Sequence, residues 1–183
     1  LEVFLSPCMN TEEFVKEERW NVMENRYLFR GKRIDNGEWV EGYLIVDEKD
    51  YSKYFIGYVV GTNEDGTPHD LDAVQVDPST ICQCTGLKDK NGKLIWENDI
   101  LLQKTTEKHW CEWQHMGLVK YGEHDWNEGV YGYKNIGFFV ESIVKEGDET
   151  RMKPGLCQED LVFENYPYEI IGNTFDNPEL LEV

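Results

Sequence analysis

Two Asn-Gly pairs, Asn36-Gly37 and Asn91-Gly92, interrupt short runs of aromatic and β-branched residues. Asn-Gly is a strong short-range hairpin signal because both residues tolerate the positive φ of a type I′ turn. Residues 27–34, before the first pair, alternate with the period of two that strands show, and residues 38–46 form the return strand. We therefore predict hairpin turns at both positions.

The rest of the chain follows the same pattern of short strands and frequent turns. Further strands are predicted at residues 54–60, 73–76, 81–85, 94–96, 100–102, 117–121, 137–144, 161–163 and 168–173, with a loop at 63–68 and an irregular stretch at 122–135. The 10 Tyr, 8 Phe and 6 Trp favour strands. Asn98, before a predicted strand, is expected in the left-handed conformation. The pattern predicts a mainly β barrel or sandwich.

The charge of the chain limits its partners. It contains 36 Asp and Glu against 18 Lys and Arg, a formal net charge of −18. Nucleic-acid binding usually draws on a basic surface, and the one basic cluster is Arg26, Arg30, Lys32 and Arg33. A solvated strand face explains that cluster equally well. The acidity therefore favours a solubility function, a basic protein partner or mimicry of nucleic-acid charge over nucleic-acid binding.

Cysteine usage and hydropathy indicate a compartment. No apolar run approaches the roughly 20 residues that cross a bilayer, and residues 1–8 lack the features of a signal peptide. The five cysteines are an odd number, and no Asn-x-Ser/Thr acceptor occurs. We expect reduced cysteines, no membrane partner and a cytoplasmic location.

Cysteine and histidine residues offer weak candidates for metal binding or catalysis. They are Cys82, Cys84, His109, Cys111 and His115. The Cys-x-Cys spacing departs from the Cys-x₂-Cys of structural zinc sites, and a strand would turn both thiols toward the core. Cys111 would need His109 or His115 as a base, which adjacency alone does not supply. We expect no metal, no cofactor and no enzymatic activity.

Aromatic residues in a poorly patterned segment form the candidate ligand site. The residues are Trp110, Trp113, Trp126 and Tyr131, with Arg30 and Arg33 as phosphate-binding partners. Aromatic side chains on loops can stack a nucleotide base or contact a protein. The alternative is that they cover the open end of the barrel as part of the core.

Several blocks of the sequence resemble the YopX family of phage and prophage proteins. They read FRGKR at 29–33, GEWV at 37–40, VDPSTI at 76–81, TGLKDKNG at 85–92 and FDNPELL at 175–181. The blocks occur in the family's order and bracket residues 27–181. Cys84 stands where the family usually has an aromatic residue, and Asn98 where it usually has Gly.

The resemblance implies a small antiparallel barrel of the Src-homology-3-like type, with insertions. The short helix that Asn10 and Glu13 predict over 10–23 lies outside the matched blocks, so we expect an N-terminal extension at 1–23 and a YopX-like β domain at 24–183. The matched residues are turn and core positions. They specify architecture and transfer no catalytic residue.

Four functions follow as expectations. The first is a non-enzymatic accessory protein of a phage or prophage, which binds a host or phage macromolecule, with a protein as the expected partner, in the bacterial cytoplasm. The alternatives are a protein that sequesters a nucleotide signal, an acidic DNA mimic, and a metal hydrolase that uses His109, Cys111 and His115. Self-association stays open.

Overall fold

The structure is a computed structural model that describes residues 25–104, 114–125, 134–143 and 168–182. The helix expected over 10–23 and the strand expected over 161–163 lie outside these ranges. The described residues form ten strands and two 3₁₀ turns.

The strands form two sheets, and every pair of neighbouring strands within a sheet is antiparallel. One sheet has six strands in the order β4-β3-β2-β1-β5-β6, and the other has four in the order β10-β7-β8-β9. The strands are β1 Phe29–Lys32, β2 Trp39–Val46, β3 Tyr54–Thr62, β4 Pro68–Val76, β5 Cys82–Lys88, β6 Leu94–Trp96, β7 Asp99–Lys104, β8 Gln114–Asp125, β9 Lys134–Ser142 and β10 Tyr168–Asn173. The 3₁₀ turns are Pro78–Thr80 and Pro178–Leu181.

The mainly β prediction is confirmed, with one difference in architecture. The described strands form two open sheets, and they do not close into the expected barrel. The sheet formed by β1 to β4 curls back on itself, because the last residue of β4 pairs with the residue that follows β1. That contact is a single bridge between Arg33 and Val76, which is too short to make a continuous ladder.

Both predicted hairpins are present, but neither turn is of type I′. Gly37 and Gly92 have φ of 74° and 80°, whereas neither preceding asparagine has a positive φ. A type I′ turn needs positive φ at both positions. The prediction for Asn98 is confirmed, since its φ is 66°. This conformation lets the Asn98 N–H donate to the Val119 carbonyl while its own carbonyl accepts the Thr174 N–H, at 2.8 and 3.1 Å.

Of the strands that exceed their predicted bounds, β4 and β8 do so by the most residues. β4 begins at Pro68 rather than at residue 73, and β8 continues to Asp125, into the stretch expected to be irregular. The early part of β4 is exposed on both faces, so no hydrophobic alternation marks it. Its extended conformation comes from pairing with β3.

Glycines allow the six-stranded sheet to curl around two fully buried side chains, Ile56 and Val76. A Cβ on Gly42 would lie 2.3 Å from the Gly57 carbonyl oxygen and 3.0 Å from Ile56 Cγ2. A Cβ on Gly31 would lie 3.0 Å from Val76 Cβ. The four-stranded sheet packs a separate cluster with Ile95: Leu101, Val119, Val140 and Tyr168.

We predict that Gly42→Ala destabilises the protein by about 1–3 kcal/mol, because the new methyl group meets backbone that cannot move aside. Gly122→Ala is the matched control, since a Cβ there would come no closer than 3.9 Å, to Phe139. Urea unfolding monitored by tryptophan fluorescence measures both variants. Equal stability of the two variants would contradict this account of the curl.

Candidate functional site

A buried ion pair joins the two sheets. Arg30 on β1 places Nη2 2.5 Å from Oδ1 of Asp99, the first residue of β7. The Asp99 side chain is 1% exposed, and its second oxygen accepts the Trp96 N–H at 2.8 Å. Burial raises the pKa of Asp99, while the Arg30 charge and the Trp96 N–H oppose that rise. The carboxylate is therefore held by a cation and a backbone donor where water cannot reach it.

Two tryptophan rings flank the Arg30 guanidinium. Its central carbon lies 4.7 Å from the ring centroid of Trp39 and 5.4 Å from that of Trp96, within cation–π range. Trp96 packs with Cys82 and Cys84 in the small core on this face of the six-stranded sheet. Arg30 thus forms part of the core.

A second charged cluster fastens the C-terminal turn to the same face. Asp176 accepts hydrogen bonds from Lys32 Nζ at 2.5 Å, Trp39 Nε1 at 2.7 Å and Asn173 Nδ2 at 2.9 Å. Phe175 packs edge-on against Trp39, with centroids 5.7 Å apart. Burial alone would raise the pKa of Asp176, but these three donors outweigh it and lower the pKa to about 2.

The basic cluster noted in the sequence is largely neutralised. Arg30 pairs with Asp99 and Lys32 with Asp176, and Arg33 donates two hydrogen bonds to Asp35 at 2.7 and 2.9 Å. The hydrogen bond to Asp35 raises the pKa of Arg33. A phosphate group at Arg30 or Arg33 would have to compete with a carboxylate already in place.

The aromatic candidates fall outside the described ranges. The structure does not describe the four aromatic candidates, Trp110, Trp113, Trp126 and Tyr131, nor the metal candidates His109 and Cys111. Their predicted role in ligand binding, and the role of Arg30 and Arg33 with them, stay predictions.

The remaining metal candidates are engaged in the core. The Cys82 thiol donates to the Thr80 carbonyl at 3.3 Å, and the Cys84 sulfur accepts the Gly86 N–H at 3.4 Å. Burial raises the pKa of both thiols, which disfavours the thiolate that metals bind. His115 lies on β8, with Nε2 2.8 Å from Ser142 Oγ. Within the described part of the chain, no three His, Cys, Asp or Glu residues form a group that could hold a metal ion.

An exposed apolar surface, here called the open face, lies on the outer half of the six-stranded sheet. Strand register places its members on one side of the sheet: Tyr43 and Ile45 on β2, Phe55 and Val59 on β3, and Leu71 and Ala73 on β4. Tyr43 is 55% exposed, Ile45 46%, Val59 44% and Leu71 70%. At the other end of the sheet, the same side is covered by the C-terminal turn and Asp99.

Acidic residues are concentrated in the segment of the chain that carries the open face. Residues 41–77 contain nine Asp and Glu against two Lys. One of these lysines, Lys53, pairs with Asp50 at 3.1 Å. The open face therefore belongs to a strongly acidic part of the chain.

Sequence reasoning missed the open face and both carboxylate partners of the basic cluster. Asp99 is 69 residues from Arg30 and Asp176 is 144 residues from Lys32, so no local pattern joins them. The open face left a signal, since Tyr43 and Ile45 alternate with other residues along β2. That signal is also typical of a strand whose apolar side is buried.

The architecture defines a class: a two-sheet antiparallel β domain held together by a buried arginine–aspartate pair. The chain belongs to the YopX protein family, whose sequence model matches residues 28–182. Membership indicates a phage-type protein and assigns no activity, and the family is not an established enzyme family.

The other comparisons add little. Comparison with curated proteins finds no match. A similar solved structure is that of protein EF1440 from Enterococcus faecalis, at 24% identity and a TM-score of 0.46, covering 84% of this chain and 96% of that one. Over the described ranges, no helix has the length and apolarity needed to cross a membrane.

We predict that Arg30→Met destabilises the protein by about 3–5 kcal/mol, because it leaves the Asp99 carboxylate buried without a counter-charge. Asp99→Asn in the same chain should recover much of that loss, since the amide oxygen can still accept the Trp96 N–H. Urea unfolding of both single variants and the double variant gives the coupling free energy. Strictly additive losses would contradict the pairing.

We predict that Asp176→Asn lowers the free energy of unfolding by about 1 kcal/mol at neutral pH, a value reduced for solvent screening at this partly exposed site. The folded-state pKa is about 2, below the ordinary 3.8. The stabilisation is therefore complete above pH 3.8 and is lost as the pH falls through about 2. Unfolding curves between pH 6 and pH 2 measure it. A difference between wild type and variant that stays constant over this range would refute the assignment.

Proposed function

We propose that this phage-type protein is a non-enzymatic binding module whose open face docks onto a basic protein of the phage or its host. The observation that supports this is a contiguous apolar surface on β2, β3 and β4, exposed on the acidic segment 41–77. Apolar patches rimmed by polar residues are typical of protein-interaction sites. Tyr43 and Leu71 supply the largest exposed apolar side chains on this face.

Charge determines the chemistry of the partner. The chain has a net charge of −18, and nine of its acids lie in residues 41–77, the segment that carries the open face. Complementary charge accelerates encounter and disfavours acidic partners. A nucleic acid would be repelled, because Arg30, Lys32 and Arg33 are paired with carboxylates of the same chain. A protein with basic and apolar side chains fits this surface.

The proposed location is the cytoplasm of the bacterial host. Cys82 and Cys84 are buried free thiols, which suit a reducing compartment. Binding of a nucleotide signal and DNA mimicry stay predictions from the sequence, with no contact among the described residues that favours either.

We predict that Tyr43→Ser combined with Leu71→Ser abolishes partner capture without unfolding the protein, because both side chains are more than half exposed. Immobilised wild type and variant are exposed to extract of phage-infected host cells, and the retained proteins are identified by mass spectrometry. Retained partners should be basic and should elute with salt, because the carboxylates of residues 41–77 contribute to binding.

Ile136→Ser is the matched control, since Ile136 is 75% exposed but lies on β9 in the other sheet. This variant should capture the same partners as wild type. Identical capture by all three proteins, or retention of acidic proteins only, would contradict the proposal.

A further inference from the structure

Among the described residues, strand β4 has one hydrogen-bonding edge that is unpaired along most of its length. It is the outermost strand of the six-stranded sheet and pairs with β3 on one side. On its other side, the described contacts are confined to its last residues, where Val76 bridges Arg33 and the Gln75 carbonyl accepts the Ile34 N–H at 3.2 Å. No described strand lies beside the rest of this edge.

The contact at Gln75 shows which backbone groups face outward. Backbone groups of alternate residues point to the same side of a strand, and the register from Val76 to Leu71 is regular. The Leu71 and Ala73 amides and carbonyls therefore point away from β3, as the Gln75 carbonyl does. Ala73 confirms this direction, because its N–H donates to its neighbour, the Asp72 carboxylate, at 2.8 Å.

Asp72 occupies the edge only loosely. Its carboxylate is exposed and also accepts the Tyr58 hydroxyl at 3.2 Å. An acidic side chain at an edge strand protects it from pairing with other acidic strands. A basic strand would instead be attracted to it and could take over the Ala73 N–H with a backbone carbonyl.

We propose that β4 binds an extended segment of the basic partner as an added antiparallel strand. This inference rests on the proposed function and states how the partner would bind. Antiparallel pairing follows the other strand pairs of both sheets. Residues opposite Leu71 and Ala73 lie on the side of the open face and must be apolar. Residues opposite Asp70 and Asp72 lie on the other side and must be basic, because opposite charges across a strand pair are stabilising.

A second copy of this chain fits the edge poorly. In an antiparallel β4 pair related by two-fold symmetry, Asp70 and Asp72 of both copies would share one side of the joined sheet. Like charges at such positions are destabilising, and each copy adds a net charge of −18. The partner is therefore a different protein, with a segment that alternates apolar and basic residues.

The probe is a fluorescent ten-residue peptide that alternates Val and Lys, titrated with the full chain and followed by fluorescence anisotropy. Opposite Leu71 and Ala73, the Val residues exchange backbone hydrogen bonds with β4, whereas the Lys N–H groups point away. N-methylation of the Val residues should weaken binding at least about tenfold, and N-methylation of the Lys residues should leave it nearly unchanged. A Val-Glu peptide is the control for charge and should not bind.

The Ala73→Pro substitution tests the same contact by a change in the protein instead of in the peptide. It removes the outward N–H of Ala73 and leaves the β3–β4 hydrogen bonds, which involve the alternate residues. We expect peptide affinity to fall by about tenfold with an unchanged circular dichroism spectrum. If this variant unfolds, the two N-methylated peptides still decide the question.

The outcomes separate the two proposals. Equal binding of both N-methylated peptides, with binding still lost in the Tyr43→Ser, Leu71→Ser variant, would overturn strand addition and keep the open face as a docking surface. No peptide binding, or binding unaffected by that variant, would count against both. A Leu71 amide protected from hydrogen exchange before peptide is added, or dimerisation lost in Ala73→Pro, would assign the edge to this chain or to a second copy and overturn the proposal.

Discussion

The Arg30–Asp99 ion pair is the contact on which the rest of the structure depends. It joins the first strand of one sheet to the first residue of β7 in the other, and two tryptophan rings keep it from water. A buried pair of this kind adds little net stability compared with a well-packed apolar pair, but removal of one partner is costly. An arrangement of the two sheets that separated Arg30 from Asp99 would leave a buried charge unpaired, so the pair disfavours such arrangements.

That pair also divides the six-stranded sheet into two unlike halves. Near Arg30, the sheet is covered by Trp96, the two buried cysteines and the C-terminal turn. Toward β4, the same side has no cover among the described residues and exposes Tyr43, Val59 and Leu71. The half of the sheet near Arg30 is therefore core, and the half toward β4 exposes its apolar side chains to solvent. The family blocks include several residues of the covered half, such as Arg30, Trp39 and Asp176.

Local signals were sufficient to predict the strands, and insufficient to predict their assembly. Hairpins at Asn36-Gly37 and Asn91-Gly92 and the left-handed Asn98 follow from the preferences of single residues. The start of β4 at Pro68 cannot be predicted from single residues, because the polar residues of this strand are extended only through pairing with β3. The sequence presents Arg30 as a candidate phosphate ligand, because it does not show that the Arg30 side chain is largely buried. Its partner, 69 residues away, became apparent only in the fold.

The long separation between Lys32 and Asp176 affects how the protein is made. During synthesis, Lys32 and Trp39 leave the ribosome about 140 residues before the carboxylate that binds both of them. Contacts this distant in sequence slow folding, and a nascent chain exposes its unpaired strands until they form. The turn that contains Asp176 therefore forms its contacts late, and until it is made Trp39 lacks both its Asp176 hydrogen bond and its Phe175 packing partner.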